Sequence, residues 1–128
     1  MQTVRELTKD KTMSTEFYII DMRPEWRGNR MITLWKGENA GYTYSVNHAG
    51  KYSEDDVAKS PCYYSKQDVR GLMRFPVPCA FVDELTVPSQ PFSDSYTGPV
   101  LLNNKGTREA LLKHGEYWVS EHAKGESD

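Results

Sequence analysis

Residues 17–22 are Phe17-Tyr18-Ile19-Ile20-Asp21-Met22, a run rich in aromatic and β-branched side chains that ends just before Pro24. Such residues fit the pleated, half-buried surface of a sheet, so this segment predicts the first β-strand. A turn signal follows at Gly28-Asn29, and residues 31–36 form a second apolar segment. The two segments together predict neighbouring antiparallel strands joined by a short connection.

A third segment, residues 42–46, alternates between large and small polar side chains. This period of two is typical of a strand with one buried face, so the three segments predict an antiparallel meander. A short helix over 53–59 is expected next, because Ser53 caps it, Asp56 occupies its third position and Pro61 ends it. A metal-binding carboxylate cluster is the alternative interpretation of its acidic first turn.

The rest of the chain divides into two loops, one strand and one helix. Residues 61–78 contain scattered glycine and proline and predict an irregular loop, whereas the apolar residues 79–87 predict a fourth strand. Residues 88–99 contain three prolines and predict a second loop. A C-terminal helix is expected from Thr107 onward. Its buried stripe is expected to contain Leu111, Gly115, Trp118 and His122.

These elements define an α+β fold. It combines a small antiparallel sheet of three to five strands, one short helix and a C-terminal helix packed on one face. The chain has 128 residues, enough for one such domain. We expect residues 13–123 to form the domain, with a polar N-terminal extension at 1–12 and a tail at 124–128. Both ends are expected to be disordered.

Composition and charge narrow the class of protein further. The 16 basic and 18 acidic residues nearly balance, which excludes a uniformly basic surface for nucleic-acid binding. The content of 38% hydrophobic residues excludes a disordered chain. No apolar run is long enough to cross a membrane. Cys62 and Cys79 form no Cys-x-x-Cys motif, so reduced thiols and a cytoplasmic location are expected, and a disulfide between them stays open.

Motifs of enzyme chemistry are absent from the sequence. There is no Gly-x-Ser-x-Gly, no glycine-rich phosphate loop and no His-Glu-x-x-His. We therefore expect a protein without enzymatic activity, cofactor or bound metal.

Aromatic, amide and arginine side chains concentrate between residues 23 and 48, and three interpretations stay open. In the favoured one, the aromatic side chains anchor a partner macromolecule. In the second, tryptophans stack on unpaired bases and basic residues hold phosphates. The basic residues concerned are Arg23, Arg27, Arg30 and Lys36. In the third, the loop around His48 binds or hydrolyses a small ligand. The candidate binding residues are Trp26, Arg27, Arg30, Trp35, Asn39, Tyr42, Asn47 and His48.

Residues 35–54 also carry a distinctive arrangement of aromatic and glycine residues. It consists of Trp35, Gly41-Tyr42-Thr43, Ala49-Gly50, Tyr52-Ser53 and Glu54. This arrangement resembles that of small proteins encoded by bacteriophages and prophages. The resemblance implies a viral accessory protein acting in a bacterial host cell, and it carries no established activity. We expect such a protein to bind a host or viral macromolecule, for example to counter a host defence. Its oligomeric state, a homodimer included, stays open.

Overall fold

The computed structural model describes residues 15–26, 28–68, 71–88 and 99–122. Within them lie six strands: β1 (Glu16–Asp21), β2 (Thr33–Trp35), β3 (Tyr42–Thr43), β4 (Tyr52–Ser53), β5 (Lys66–Asp68) and β6 (Gly71–Pro78). Four α-helices accompany them: α1 (Glu54–Lys59), α2 (Pro61–Tyr64), α3 (Cys79–Leu85) and α4 (Lys105–His122). Short 3₁₀ turns cover Pro24–Trp26, Gly37–Asn39 and Val46–His48. The α+β class predicted from the sequence is confirmed.

The sheet is antiparallel and is built around β1. Its strands follow the order β3-β2-β1-β6-β5, and β4 pairs with the start of β1. Ile20 lies opposite Leu34 on one side and opposite Phe75 on the other. Because every residue of β1 after Glu16 is buried, this strand is the centre of the fold, as its apolar composition predicts.

Each face of the sheet carries its own hydrophobic core. One core contains Tyr18, Ile20, Leu34, Phe75, Val77, Val82 and Leu111, so it is covered by α3 and α4. The other contains Phe17, Ile19, Trp35, Tyr52, Val57, Tyr64 and Trp118, so α1 and α2 cover most of it. The alternation of side chains along β1 therefore separates the two cores, because successive residues of a strand point to opposite faces.

The C-terminal helix packs against β6 through a glycine. A Cβ atom at Gly115 would lie 2.5 Å from the Phe75 ring, so only glycine allows this close approach. Leu111 and Trp118 are buried, as the predicted stripe requires. The helix begins at Lys105 rather than near Thr107, because the Asn104 side chain accepts the Thr107 N–H at 2.9 Å.

The prediction of an irregular loop over residues 61–78 is wrong. The segment forms α2, β5 and β6, and β6 is the longest strand of the sheet. Its prolines suggested a loop, since proline cannot donate to a strand ladder. However, β5 accompanies β6 only as far as Arg74, so Pro76 and Pro78 lie where β6 pairs with β1 alone. Proline is tolerated at such positions.

The predicted fourth strand over residues 79–87 is also wrong, because residues Cys79–Leu85 form α3. Cys79 and Val82 are buried whereas Asp83 and Glu84 are exposed, which is the spacing of a helix with one apolar face. Short apolar runs fit a strand or a helix equally well, and here the contacts with the sheet decide.

Two further predictions need correction or fall outside the described residues. The third strand ends at Thr43, and residues Val46–His48 form a 3₁₀ turn instead of continuing it. The two chain ends, most of the loop 88–99, Arg27 and the side chains of Cys62 and His122 lie outside the described part of the structure.

Candidate functional site

Aromatic and arginine side chains gather on one face of the sheet, beside β3. We call this set the arginine–aromatic surface, and it comprises Arg23, Trp26, Trp35, Tyr42, Tyr63 and Arg74. The strand register explains its assembly, because Trp35 pairs with Tyr42 and Asp21 pairs with Arg74. Paired residues of antiparallel strands share a face. Arg23 and Trp26 follow β1, and α2 supplies Tyr63.

A buried carboxylate anchors this surface from below. Asp21 is 1% exposed, and its two oxygens accept hydrogen bonds from Arg23 Nε at 3.1 Å and Nη2 at 2.8 Å. The Trp35 indole donates to Asp21 Oδ2 at 3.1 Å. Hydrogen bonding to Asp21 raises the pKa of Arg23 further, so the guanidinium stays charged. The bidentate pair satisfies the buried carboxylate and fixes the orientation of Trp35.

Arg23 is a structural element of the surface. Its guanidinium lies 4.1 Å from the centroid of the Trp26 ring and 5.2 Å from that of Tyr42. Its Nη2 also donates to the Tyr42 hydroxyl at 3.1 Å. Trp26 and Tyr42 pack edge to face with centroids 4.9 Å apart. The positive charge of Arg23 is thus neutralised by Asp21 and enclosed by rings.

Arg74 is in a different situation. Its guanidinium lies 5.1 Å from the centroid of Trp35 and 5.7 Å from that of Tyr63. Its Nε is buried without a hydrogen-bond partner. Within the described residues, the ion pairs involve other side chains, and none joins a carboxylate to Arg74. The surface therefore contains one arginine whose charge no neighbouring acid balances.

This arginine lines a small cavity that we call the Arg74 slot. The slot has a volume of about 180 Å³. It is lined by Trp35, Asn39, Gly41, Tyr42, Tyr63 and Arg74. Tyr42 and Tyr63 are 46% and 49% exposed, so the two rings form an accessible rim around it. The lining thus combines aromatic walls with an arginine cation and the polar side chain of Asn39.

The turn that bears Asn39 is held firmly against the second core. The Tyr52 hydroxyl donates to the Lys36 carbonyl at 2.5 Å and accepts the Asn39 N–H at 3.0 Å. Burial raises the pKa of Tyr52, so its hydroxyl keeps its proton. Asn39 has a φ of 59°, a left-handed conformation that Asn tolerates better than most residues.

The structure brings some of the predicted binding residues together. Trp26, Trp35, Asn39 and Tyr42 belong to the arginine–aromatic surface or line the Arg74 slot. Asn47 and His48 lie in the exposed turn Val46–His48 and line neither. Arg30 is exposed in the loop before β2, and Arg27 is outside the described residues.

Sequence reasoning missed two residues of this surface, Tyr63 and Arg74. Both lie in the segment interpreted as a loop, and only the pairing of β6 with β1 brings Arg74 to Trp35. One signal was present in the sequence, since Tyr63-Tyr64 lies shortly after the predicted short helix and interrupts the supposed loop with two large rings.

The thiol among the described residues is not activated as a nucleophile. Burial raises the pKa of Cys79 to about 12, so this thiol is protonated at neutral pH. The acidic first turn of α1 serves as a helix start, where Ser53 Oγ accepts the Asp56 N–H at 3.0 Å. Residues 15–26, 28–68, 71–88 and 99–122 hold no group of three acidic, His or Cys side chains arranged for a metal ion.

The described residues also line two larger cavities. One, of about 330 Å³, lies at the end of the sheet between β1, β6 and α4. The other, of about 580 Å³, is lined by Phe17, Pro78 and Trp118 among others, and neither lining includes His48. No described helix has both the length and the apolar composition needed to span a bilayer.

Comparison of the chain with protein-family models, curated proteins and solved structures found no match.

Proposed function

We propose that this protein is a non-enzymatic accessory protein that binds a partner protein through the arginine–aromatic surface. The observation that carries the proposal is the pair of exposed tyrosines, Tyr42 and Tyr63, which line one slot with an arginine that has no acidic partner among the described residues. Trp, Tyr and Arg are the residue types that dominate binding energy at protein interfaces. Their rings offer large contact areas at a small loss of side-chain freedom.

The charge distribution favours a protein over a nucleic acid. Binding along a phosphate backbone needs several free cations in a row. Here Asp21 neutralises Arg23. Two exposed acids also lie close to basic residues in the sequence, Glu25 to Arg23 and Glu38 to Lys36. One free arginine among aromatic rings fits a single anchoring contact better than a polyanion.

The resemblance of residues 35–54 to small bacteriophage and prophage proteins supports the biological side of the proposal. The partner is then a host or viral protein in the cytoplasm of a bacterial cell, and interference with a host defence is one outcome of such binding. The nucleic-acid interpretation is kept as the rival that the experiment must separate.

The test is a capture experiment from bacterial lysate with and without nuclease. The tagged full-length protein is compared with Tyr63→Ala and with the control Tyr117→Ala, whose ring is 65% exposed on α4, outside the surface. We expect a nuclease-resistant protein partner that Tyr117→Ala retains and Tyr63→Ala loses. Matching thermal unfolding curves for both variants show that the loss is local.

Two outcomes would contradict the proposal. If Tyr63→Ala and Tyr117→Ala recover the same partner equally, binding uses another surface. If every partner disappears after nuclease treatment and binding falls steeply with salt, the ligand is a nucleic acid.

A further inference from the structure

We propose that the Arg74 slot recognises an acidic side chain, a glutamate or aspartate, that the partner protein inserts between Tyr42 and Tyr63. This inference rests on the proposed function and specifies the chemistry of its central contact. It follows from the charge of Arg74, from the rings that hold it, and from the size of the slot.

The acid opposite Arg74 in the sheet already has hydrogen-bond partners of its own. Asp21 lies directly opposite Arg74 in the pairing of β1 with β6, so an internal ion pair would be the simplest arrangement. Instead, the Asp21 oxygens accept bonds from Arg23 and Trp35. Arg74 thereby keeps a positive charge in a half-buried site without a counter-ion among the described residues. An external carboxylate that reaches this guanidinium gains a charge-assisted hydrogen bond.

The surroundings of the guanidinium leave its hydrogen-bond donors for an anion. Its centre lies 5.1 and 5.7 Å from the centroids of Trp35 and Tyr63. Aromatic rings attract the cation but accept no conventional hydrogen bond from its N–H groups. A carboxylate is also planar and accepts two parallel N–H bonds from such a group. One guanidinium matches one carboxylate in charge as well as in shape.

The size of the cavity also limits its occupant. Its volume is about 180 Å³, below the roughly 300 Å³ at which small-molecule pockets begin. A single side chain is therefore a better occupant than a nucleotide. The tyrosine rings suit the methylene groups of such a side chain, whereas Asn39 and Arg74 supply donors to its head group. No acidic residue is among the described residues that line the slot.

The test measures side-chain recognition without a known partner. The full-length protein, labelled with ¹⁵N, is titrated with N-acetyl-glutamate N-methylamide, with the uncharged glutamine analogue, and with inorganic phosphate. The readouts are the NMR signals of the Arg74 Nε–H and the Trp35 indole N–H. Arg108, which donates to Asn103 at 2.9 Å and does not line the slot, is the internal control.

We expect both slot signals to shift and saturate with the glutamate probe at about fivefold lower concentration than with the glutamine probe. A ratio of about this size corresponds to the contribution of one exposed ion pair to affinity. The Arg108 signal stays in place. Arg74→Gln abolishes saturation, and Arg74→Lys, which keeps the charge but lacks the planar fork, weakens it.

Three results would overturn the inference. Equal response to the glutamate and glutamine probes would mean that charge is not recognised. Stronger saturation by phosphate would assign the slot to a phosphate group. Equal shifts at Arg74 and Arg108 would indicate unspecific ion binding. None of these results affects capture by the tyrosine rim, so the proposed function is tested separately by the Tyr63→Ala comparison.

Discussion

The Trp35 indole N–H donates to the carboxylate of Asp21 at 3.1 Å, and both side chains are buried between the sheet and its aromatic cover. This bond joins β2 to β1 on the face that carries the arginine–aromatic surface. It fixes Trp35 as the floor on which Tyr42, Tyr63 and Arg74 rest. A single buried acid therefore shapes a surface whose exposed members lie on other strands and helices.

Asp21→Asn tests this anchoring role. The amide keeps the size of the side chain but removes the charge that balances Arg23, so we expect a loss of about 2–3 kcal/mol in unfolding free energy. Urea denaturation followed by tryptophan fluorescence measures it. The control is Glu109→Gln, which affects an exposed helical ion pair with Lys105 and should change stability by about 0.5 kcal/mol or less. Equal effects of the two substitutions would mean that the buried pair does not stabilise the fold.

Gly115→Ala tests the contact of α4 with β6. The new methyl group would lie 2.5 Å from the Phe75 ring, and Phe75 is completely buried. Overpacking outweighs the better helix propensity of alanine, so we expect a net loss of about 1–2 kcal/mol. The matched control is Gly106→Ala near the start of α4, where the nearest atom is 3.7 Å away and a gain of about 0.5 kcal/mol is expected. Thermal unfolding of both variants separates the two effects; stabilisation by Gly115→Ala would show that α4 is not seated as described.

Ser53→Ala tests the start of α1. The Ser53 hydroxyl accepts the Asp56 N–H at 3.0 Å, so its removal should cost about 1 kcal/mol. Ser60→Ala is the control, because the Ser60 side chain makes no capping bond to α2. Chemical denaturation should show a clear difference between the two serines, and a neutral Ser53→Ala would contradict the capping role.

Alkaline pH should destabilise the protein through its buried acids. Burial raises the pKa of Cys79 to about 12 from an ordinary value of 9.0, and burial also raises the pKa of Tyr18. The folded state thus holds these protons more tightly than the unfolded state. Stability is fully present below pH 9 and is lost as the pH rises toward 12. Cys79→Ala should show a shallower loss across this window, whereas Tyr117→Phe, at an exposed position, should follow the wild type. An unchanged slope in Cys79→Ala would refute the assignment.

Local sequence signals predicted the elements that depend on local interactions. The apolar run of β1, the Ser53 cap and the buried Leu111 and Trp118 of α4 all follow from spacing alone. Considered alone, Gly115 lowers the helix propensity of α4. The structure explains its presence, because a larger residue would collide with Phe75. The sequence predicts that Gly115 lies on the buried stripe of the helix, but it does not show that the contact is with a residue of a distant strand.

The remaining features could not be predicted from local signals, because they depend on contacts between segments that are distant in the sequence. Cys79–Leu85 is too short for its apolar spacing to distinguish strand from helix, and packing on the sheet decides. Part of the candidate site shows the same limit. Trp26, Trp35, Asn39 and Tyr42 could be selected from composition, but Arg74 reaches Trp35 only through the register of β6 on β1.

The most direct test of the central claim compares partner capture by the wild type, Arg74→Gln and Tyr117→Ala from nuclease-treated bacterial lysate, quantified by mass spectrometry. We expect a protein that the wild type and Tyr117→Ala recover equally and that Arg74→Gln recovers at about a tenth of that level or less, as is typical of an anchoring residue at an interface. Equal recovery by Arg74→Gln, with its fold intact by circular dichroism, would contradict the claim that Arg74 anchors the partner on this surface.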